Sequence, residues 1–381
     1  MFYKIDAIDT LFFRNASPFD AELSQSAVSL FPPFPSVYAG ALRYADISDH
    51  PDKTAISRKL KIGFNGIMVD GKVMLPRPLD TIVLPSNEIQ TMPLITAPTG
   101  SYSLPFVLSG EGLGKGKEPE LKGGGYLDED GINQYLQSNP GNIPCTSLAS
   151  LIDRERHVGI QIDSATGTTQ AGLWYAIEKV RPISLNKEKQ GSLQEQKCSL
   201  VVEADGVAIT TPSVIRLGGE AKAASINVLG TTPAIRTITS TEKHFKLYLA
   251  TPSIFKHGWI PWWIDPDSKE GVFAYKKRRI RVRLISAAVG RHIAIGGFAF
   301  EQRKPKEMRY AVPAGSVYFF EILEGEFDDA VKLFHQKCIS DYREGYGFVY
   351  ENWNRMRYCD RGLGYSLIGA IGANQGGHMD V

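Results

Sequence analysis

Cysteine is scarce in this sequence: four residues among 381, at Cys145, Cys198, Cys338 and Cys359. They lie far apart, with no CxxC pair and no histidine at zinc-ligand spacing. That argues against a structural zinc site and a disulfide scaffold, and reads as four reduced thiols. An excess of one charge is also lacking. There are 43 Lys and Arg against 41 Asp and Glu, a formal net charge of +2. Such a chain has little long-range field to steer a polyanion, so any nucleic-acid contact must be a local patch. No apolar run approaches the ~20 residues that span a bilayer. Met1 to Phe13 alternates apolar and polar residues, without the basic and apolar regions of a signal peptide. A soluble, cytoplasmic protein with no membrane contact is expected. The seven histidines form no HExxH or HxH pattern, and there is no GxSxG elbow, Walker loop or DxDxG calcium loop. No cofactor and no metal are expected.

What is present is ordinary globular material. Hydrophobic residues make up 43% and charged residues 22%, which excludes disorder and collagen-like repeats. The length suggests about two to three domains. Phe2–Phe13 reads as a strand, ended by Arg14-Asn15-Ala16-Ser17-Pro18. After the proline-rich Phe31–Pro35, Ser36 is expected to N-cap a helix over Val37–Ile47. Val158–Asp163 and Leu173–Val180 are expected to form a hairpin around Ser164–Thr169. The polar stretch Asn186–Gln196 is expected to hold a domain boundary, dividing the chain into 1–190 and 191–381. Ser199–Glu203, Phe245–Ala250 and Val317–Leu323 read as strands. Phe327–Tyr342 reads as an amphipathic helix with Glu326, Asp328 and Asp329 at its positive end. The simplest architecture is two α+β domains with long insertions.

Several motifs carry more than one reading. Arg279, Arg281 and Arg283 alternate with Ile280, Val282 and Leu284, so three guanidiniums share one strand face. That row suits phosphates, a solvated sheet face or an acidic partner equally. The Gly/Lys-rich segment 110–125 reads as a surface loop, plain or RNA-touching. Arg216-Leu217-Gly218-Gly219-Glu220-Ala221-Lys222 is either an anion-approaching turn or a simple tight turn. Trp259, Trp262 and Trp263 read as core or interface before a base-stacking platform. Gly345-Tyr346-Gly347-Phe348 copies the centre of the RNP1 consensus but fails at both ends. Asp128-Glu129-Asp130 reads as solvated charge in a loop. Among the histidines His157, beside Arg154 and Arg156, is the first to test for catalysis; a structural or RNA-touching imidazole is the favoured reading.

Read in order, these pieces resemble a known family. Asp9-Thr10-Leu11-Phe12-Phe13-Arg14, Pro18-Phe19, Phe31–Ser36 and Ala39–Arg43 come first. Val158–Asp163 through Gly172–Tyr175, Arg216–Glu220, Gly296–Phe298 through Lys304–Lys306 and Val312–Phe320 follow. The set resembles the Cmr-type RAMP subunit of type III-B CRISPR effector complexes, across nearly the whole chain. The resemblance implies an α+β fold of two ferredoxin-like (RRM-like) domains with large loop and hairpin insertions. It implies a non-catalytic role in antiviral defence, gripping the crRNA 5′ handle. The implied partners are the large polymerase–cyclase subunit and the adjacent RAMP backbone subunit. The implied RNA contacts are Arg14, Asn15, Ser36, Tyr38, Arg43, Gly159, Ile160, Arg216, Gly218 and Gly219, joined by the nearby Arg154, His157 and Lys222. The alternative is a stand-alone RAMP endoribonuclease that processes guide RNA.

Overall fold

A computed structural model of the chain describes all residues except 15–25, 50–59, 99, 101, 112–120, 122–123, 139–140, 188–192, 221, 300–303, 306, 341–357 and 373–381. The molecule is a strand-rich α+β protein with several sheets and, among the described residues, three α-helices. These are α1 (Pro35–Asp49), α2 (Glu129–Leu136) and α3 (Phe327–Phe334). None is long and apolar enough to cross a membrane.

Two sheets organise the chain. In the nine-stranded sheet, Ala223–Val228, Phe2–Ala7, Leu193–Asp205 and Lys61–Val69 lie side by side, each antiparallel to its neighbour. In the six-stranded sheet the corresponding run is Tyr365–Gly369, His244–Leu249, Val317–Glu324 and Arg278–Ala288, again antiparallel throughout. Numbered by chain position within each set of four, both runs read fourth, first, third, second. The first set has a helix, α1, between its first and second strands. The second set has one, α3, between its third and fourth. The expected boundary at 190 falls between Ile183–Lys187 and Leu193–Asp205, which pair with each other. Sheet membership changes later, between Val228 and His244.

Period-2 patterning explains the central strands. Ile280, Val282 and Leu284 are fully buried, and the arginines between them face outward. One hydrophobic cluster draws Phe64, Met68 and Val73 from the first sheet together with Phe245, Leu247 and Phe320 from the second. Trp263 is buried there, stacked on Phe334 at 5.2 Å and edge-on to Phe273 at 5.3 Å. Trp263 is therefore core, and Trp259 and Trp262 pack partly buried against the same cluster.

Three local expectations change. α1 starts at Pro35, so Ser36 lies inside the first turn and is not the N-cap; proline suits a first helical position because its missing N–H needs no partner. α3 stops at Phe334, eight residues short of the expected end. His335 is extended, Gln336 has φ of 55°, and Lys337–Cys338 joins the sheet beside Tyr365–Gly369. The acidic triplet begins α2 and is not a loop. Asp128 Oδ1 accepts from Gly131 N at 2.9 Å, and Glu129 accepts from the N–H groups of Val73 and Ala234.

Candidate nucleic-acid interface

The hairpin is longer than its sequence pattern suggested. Asp153–Ile162 pairs with Thr169–Arg181, and Ser26–Val28 adds in parallel to the second strand. Cross-strand partners share a face, so Ile160 lines up with Trp174, and Val158 lies two residues back on the same side; Ile162 follows past a register shift, opposite Thr169. Val158, Ile160, Ile162 and Trp174 are 62%, 52%, 61% and 43% exposed. Apolar groups in a row on a projecting strand are costly in water without a partner. Gly159 sits opposite Tyr175 on the other face, and a Cβ there would run into the tyrosine ring. The ring lies across the glycine, and a larger residue there would displace it. Of this strip the sequence singles out only Ile160 as an RNA contact. The alternation Val158, Ile160, Ile162 was the available signal, but alternation alone cannot say that the apolar side faces solvent.

The Asp9–Arg14 segment roots this hairpin. Leu11 and Val180 exchange backbone hydrogen bonds of 2.7 and 2.8 Å. Phe12 O accepts from Gly219 N at 2.8 Å, and Phe13 N donates to Ser29 Oγ at 2.9 Å. Arg14 is exposed and pairs through its backbone with Ser29. The Ser29 carbonyl in turn accepts from Arg154 Nη1 at 3.0 Å, and Arg154 also pairs with Glu178 at 2.7 Å. Two cations, Arg14 and Arg154, thus flank Ser29 at the base of the hairpin. His157 is exposed farther along, with Nε2 3.5 Å from Glu155 Oε2.

Other expected contacts are placed differently. Tyr38 is fully buried and its hydroxyl donates to Gly66 O at 3.1 Å, so its side chain belongs to the core. Burial drives that phenol well above its usual range. Gly218 has φ of 80°, and a Cβ there would lie 2.5 Å from Phe12 O. With the Gly219 N–H donated to Phe12, the glycine pair fits the chain's own backbone and is a tight turn, not an anion cradle. Lys222 is engaged by Asp9 at 2.7 Å, a hydrogen bond that holds the Asp9 carboxyl below the usual range. Arg216 is exposed, with its guanidinium 5.6 Å from the Tyr44 ring centroid. Arg43 lies on α1 close enough to Arg361 that, after burial, its charge is the next influence lowering the Arg361 pKa. Asn15, the RNP1-like segment 345–349 and most of the Gly/Lys loop lie outside the described residues.

The arginine row is resolved by its neighbours. Arg281 bridges Glu270 and Glu324, Arg283 bridges Glu270 and Glu321, and Arg279 reaches Glu324. Three glutamates from adjacent strands answer three arginines, which makes this a charge-balanced, solvated sheet face. Glu270 is held below the usual carboxylate range mainly by its hydrogen bond from Arg283.

Among the described residues no group of three or more His, Cys, Asp or Glu side chains is placed to hold a metal ion. In class, the molecule is a strand-rich α+β protein with several sheets and a long exposed hairpin, at whose base Arg14 and Arg154 flank Ser29. A family model described as CRISPR-associated protein (Cas_Cmr3) matches residues 3–371, and the chain belongs to that family. No curated protein matches it. Among solved structures it is similar to a chain of the type III-B Cmr-beta cryo-EM structure bound to cognate target RNA and AMPPnP. The identity is 18% and the TM-score 0.49, over 84% of this chain and 86% of that one. The Cmr-beta structure bound to cognate target RNA alone gives 18% and 0.48, over the same shares. A chain of the type III-A Csm3–Csm4 subcomplex gives 15% and 0.30, over 87% and 95%.

Proposed function

We propose that this chain is a non-catalytic, cytoplasmic crRNA-holding subunit of a type III-B effector complex. It grips the 5′ handle of the guide and bridges the large polymerase–cyclase subunit to the adjacent RAMP backbone subunit. The observation that carries the reading is the hairpin: an exposed apolar strip, with Arg14 and Arg154 at its root. An unstacked single strand offers both complements, base faces for the strip and phosphates for the cations. Inserted between nucleotides, Ile160 and Trp174 separate neighbouring bases while the root cations hold the backbone. Arg216, and Arg43 beside Arg361, are further cations for the same strand. Two neighbouring guanidiniums repel each other, and a phosphate between them relieves that repulsion.

The fold-level part of the proposal is a pair of ferredoxin-like units with large insertions, divided within residues 229–243. The shared strand order, fourth-first-third-second, supports it, with each unit keeping one of the two helices of that plan.

Reversing Arg14 or Arg216 to Glu is expected to weaken guide loading and to lower the salt dependence of binding. For a single strand the slope of log K against log salt falls by about 0.7 per lost phosphate contact. Handle protection that survives both reversals at low and high salt overturns the site. Incubating the purified protein with repeat RNA in chelator tests the non-catalytic part. Metal-independent cleavage that His157→Ala abolishes would make the protein a processing endoribonuclease.

A further inference from the structure

The segment between the two large sheets, residues 229–243, forms no helix or strand. Gly230, Pro233 and a run of Thr and Ser give it the composition of a flexible connector. Such a segment leaves its backbone N–H and C=O groups to water unless side chains take them up. Here side chains from both halves of the chain do so. Asn133 on α2 donates from Nδ2 to Ala234 O at 2.7 Å and accepts at Oδ1 from Arg236 N at 2.8 Å. Glu129, one turn earlier on the same face, accepts through Oε2 from Ala234 N at 2.9 Å. From the other side Gln336, just past α3, donates from Nε2 to Ile235 O at 3.2 Å. Ile238 is buried, and Leu229 and Ile235 pack partly buried, in the hydrophobic cluster that draws on both sheets.

α2 is itself tied to both sheets. It follows directly on Gly125–Asp128, a strand of the nine-stranded sheet, and Glu129 Oε1 accepts from Val73 N at 2.9 Å. One carboxylate thus joins the first sheet to the connector, each oxygen holding one N–H, and such charge-assisted bonds are the stronger kind. At the other end of the helix Leu136 O accepts from Ala370 N at 2.8 Å, next to the strand Tyr365–Gly369 of the six-stranded sheet. The approach there is close: a Cβ on Gly369 would lie 2.9 Å from Leu136 O. Asn133 is buried, so losing either bond of its amide leaves a polar group unpaired away from water.

We infer that α2 is an interdomain clamp: Glu129 and Asn133 strap the connector, the end of the helix seats on the second sheet, and the two halves hold one orientation instead of hinging at 229–243. The direction of the hairpin relative to the second sheet is then set by this helix. The inference does not depend on what the hairpin binds, so the two can fail separately.

The test uses the full chain. Asn133→Asp keeps the size and the acceptor for Arg236 N, but sets a carboxylate oxygen against Ala234 O. Amide hydrogen exchange at Ala234 and Arg236 should accelerate roughly 5- to 150-fold, the range for one buried hydrogen bond left unmade. Exchange at Val201 and Leu247, in the central strands of the two sheets, should stay as in wild type. Wild type should resist trypsin after Arg236, and the variant should be cut there. If Ala234 and Arg236 of wild type exchange as freely as in an unfolded chain, or if the variant raises exchange in the sheets by the same factor, there is no local clamp. Orientation is read separately, by the distance between spin labels at Val214→Cys and Val272→Cys, exposed sites on the first and second sheets, in a Cys359→Ser background. That distance should be single and narrowly distributed, and adding Gly369→Ala, which drives a methyl group into Leu136 O, should shift or broaden it. A distribution that is broad without Gly369→Ala, or unchanged with it, overturns the inference.

Discussion

Lys246 lies on the strand His244–Leu249 with no exposed surface. Its ammonium lies 3.7 Å from the centroid of the Tyr135 ring and has no hydrogen-bond partner among the described residues. The Tyr135 hydroxyl is turned the other way, donating to Asp80 Oδ1 at 2.9 Å. Burial pushes the Lys246 pKa down from 10.5 to about 8, with Asp80 offsetting part of the loss. The consequence for stability follows from proton linkage. Above pH 10.5 the amine is neutral folded and unfolded, and contributes no penalty. As pH falls from 10.5 to 8 the unfolded chain takes up the proton and the folded chain does not. The penalty is complete below pH 8, at about 3 kcal/mol for a shift of that size. Lys246→Met keeps the unbranched shape and removes the proton. It also removes the cation–ring attraction, worth about 2 kcal/mol when desolvated. Repacking terms do not depend on pH, so the informative quantity is the difference in unfolding free energy between variant and wild type. That difference should shrink by about 3 kcal/mol between pH 7 and pH 10.5, the variant losing its relative advantage as pH rises. Urea unfolding of both proteins at four or five pH values across this window measures it. A difference that stays constant across the window refutes the reasoning, and would mean that Asp80 fully compensates the buried charge.

Other expectations follow from single contacts. Gly218→Ala forces a side chain into a left-handed conformation and against Phe12 O, and should destabilise the protein by roughly 1–3 kcal/mol in thermal unfolding. His335, whose Nδ1 accepts from Ile368 N at 3.1 Å, is held down to about 4 by burial. The unfolded chain gains a proton as pH falls through 6.5 and the folded chain only near 4, so stability should decline across that interval, and His335→Asn should flatten the decline in acid titrations. Arg281→Glu breaks the paired sheet face but should leave the affinity and salt slope of single-stranded RNA binding unchanged; a loss of slope by one contact would return that row to the RNA interface.

What the sequence determined by itself was whatever depends on local pattern. Ile280, Val282 and Leu284 could only form a half-buried strand, because period 2 sets their common face. The turn between Ile162 and Thr169 was legible from its small polar residues. The ordered motifs from Asp9 to Phe320, spread over nearly the whole chain, carried the family. The tertiary structure decided everything that depends on what lies across from a residue. Arg281 and a phosphate-binding arginine look alike in sequence; Glu270 and Glu324, brought in from neighbouring strands, make the difference. Gly218 and Gly219 suggested an anion until Phe12, some two hundred residues earlier, supplied the backbone they fit against. α3 ended early because Lys337 and Cys338 gained a place beside Tyr365–Gly369, a competition between helix and sheet that no window along the chain contains. Tyr38 and Tyr310 are the same residue type, each followed by alanine. One is sealed under Gly66 and the other stands in solvent, because burial is a property of what packs above a side chain and not of the chain that carries it.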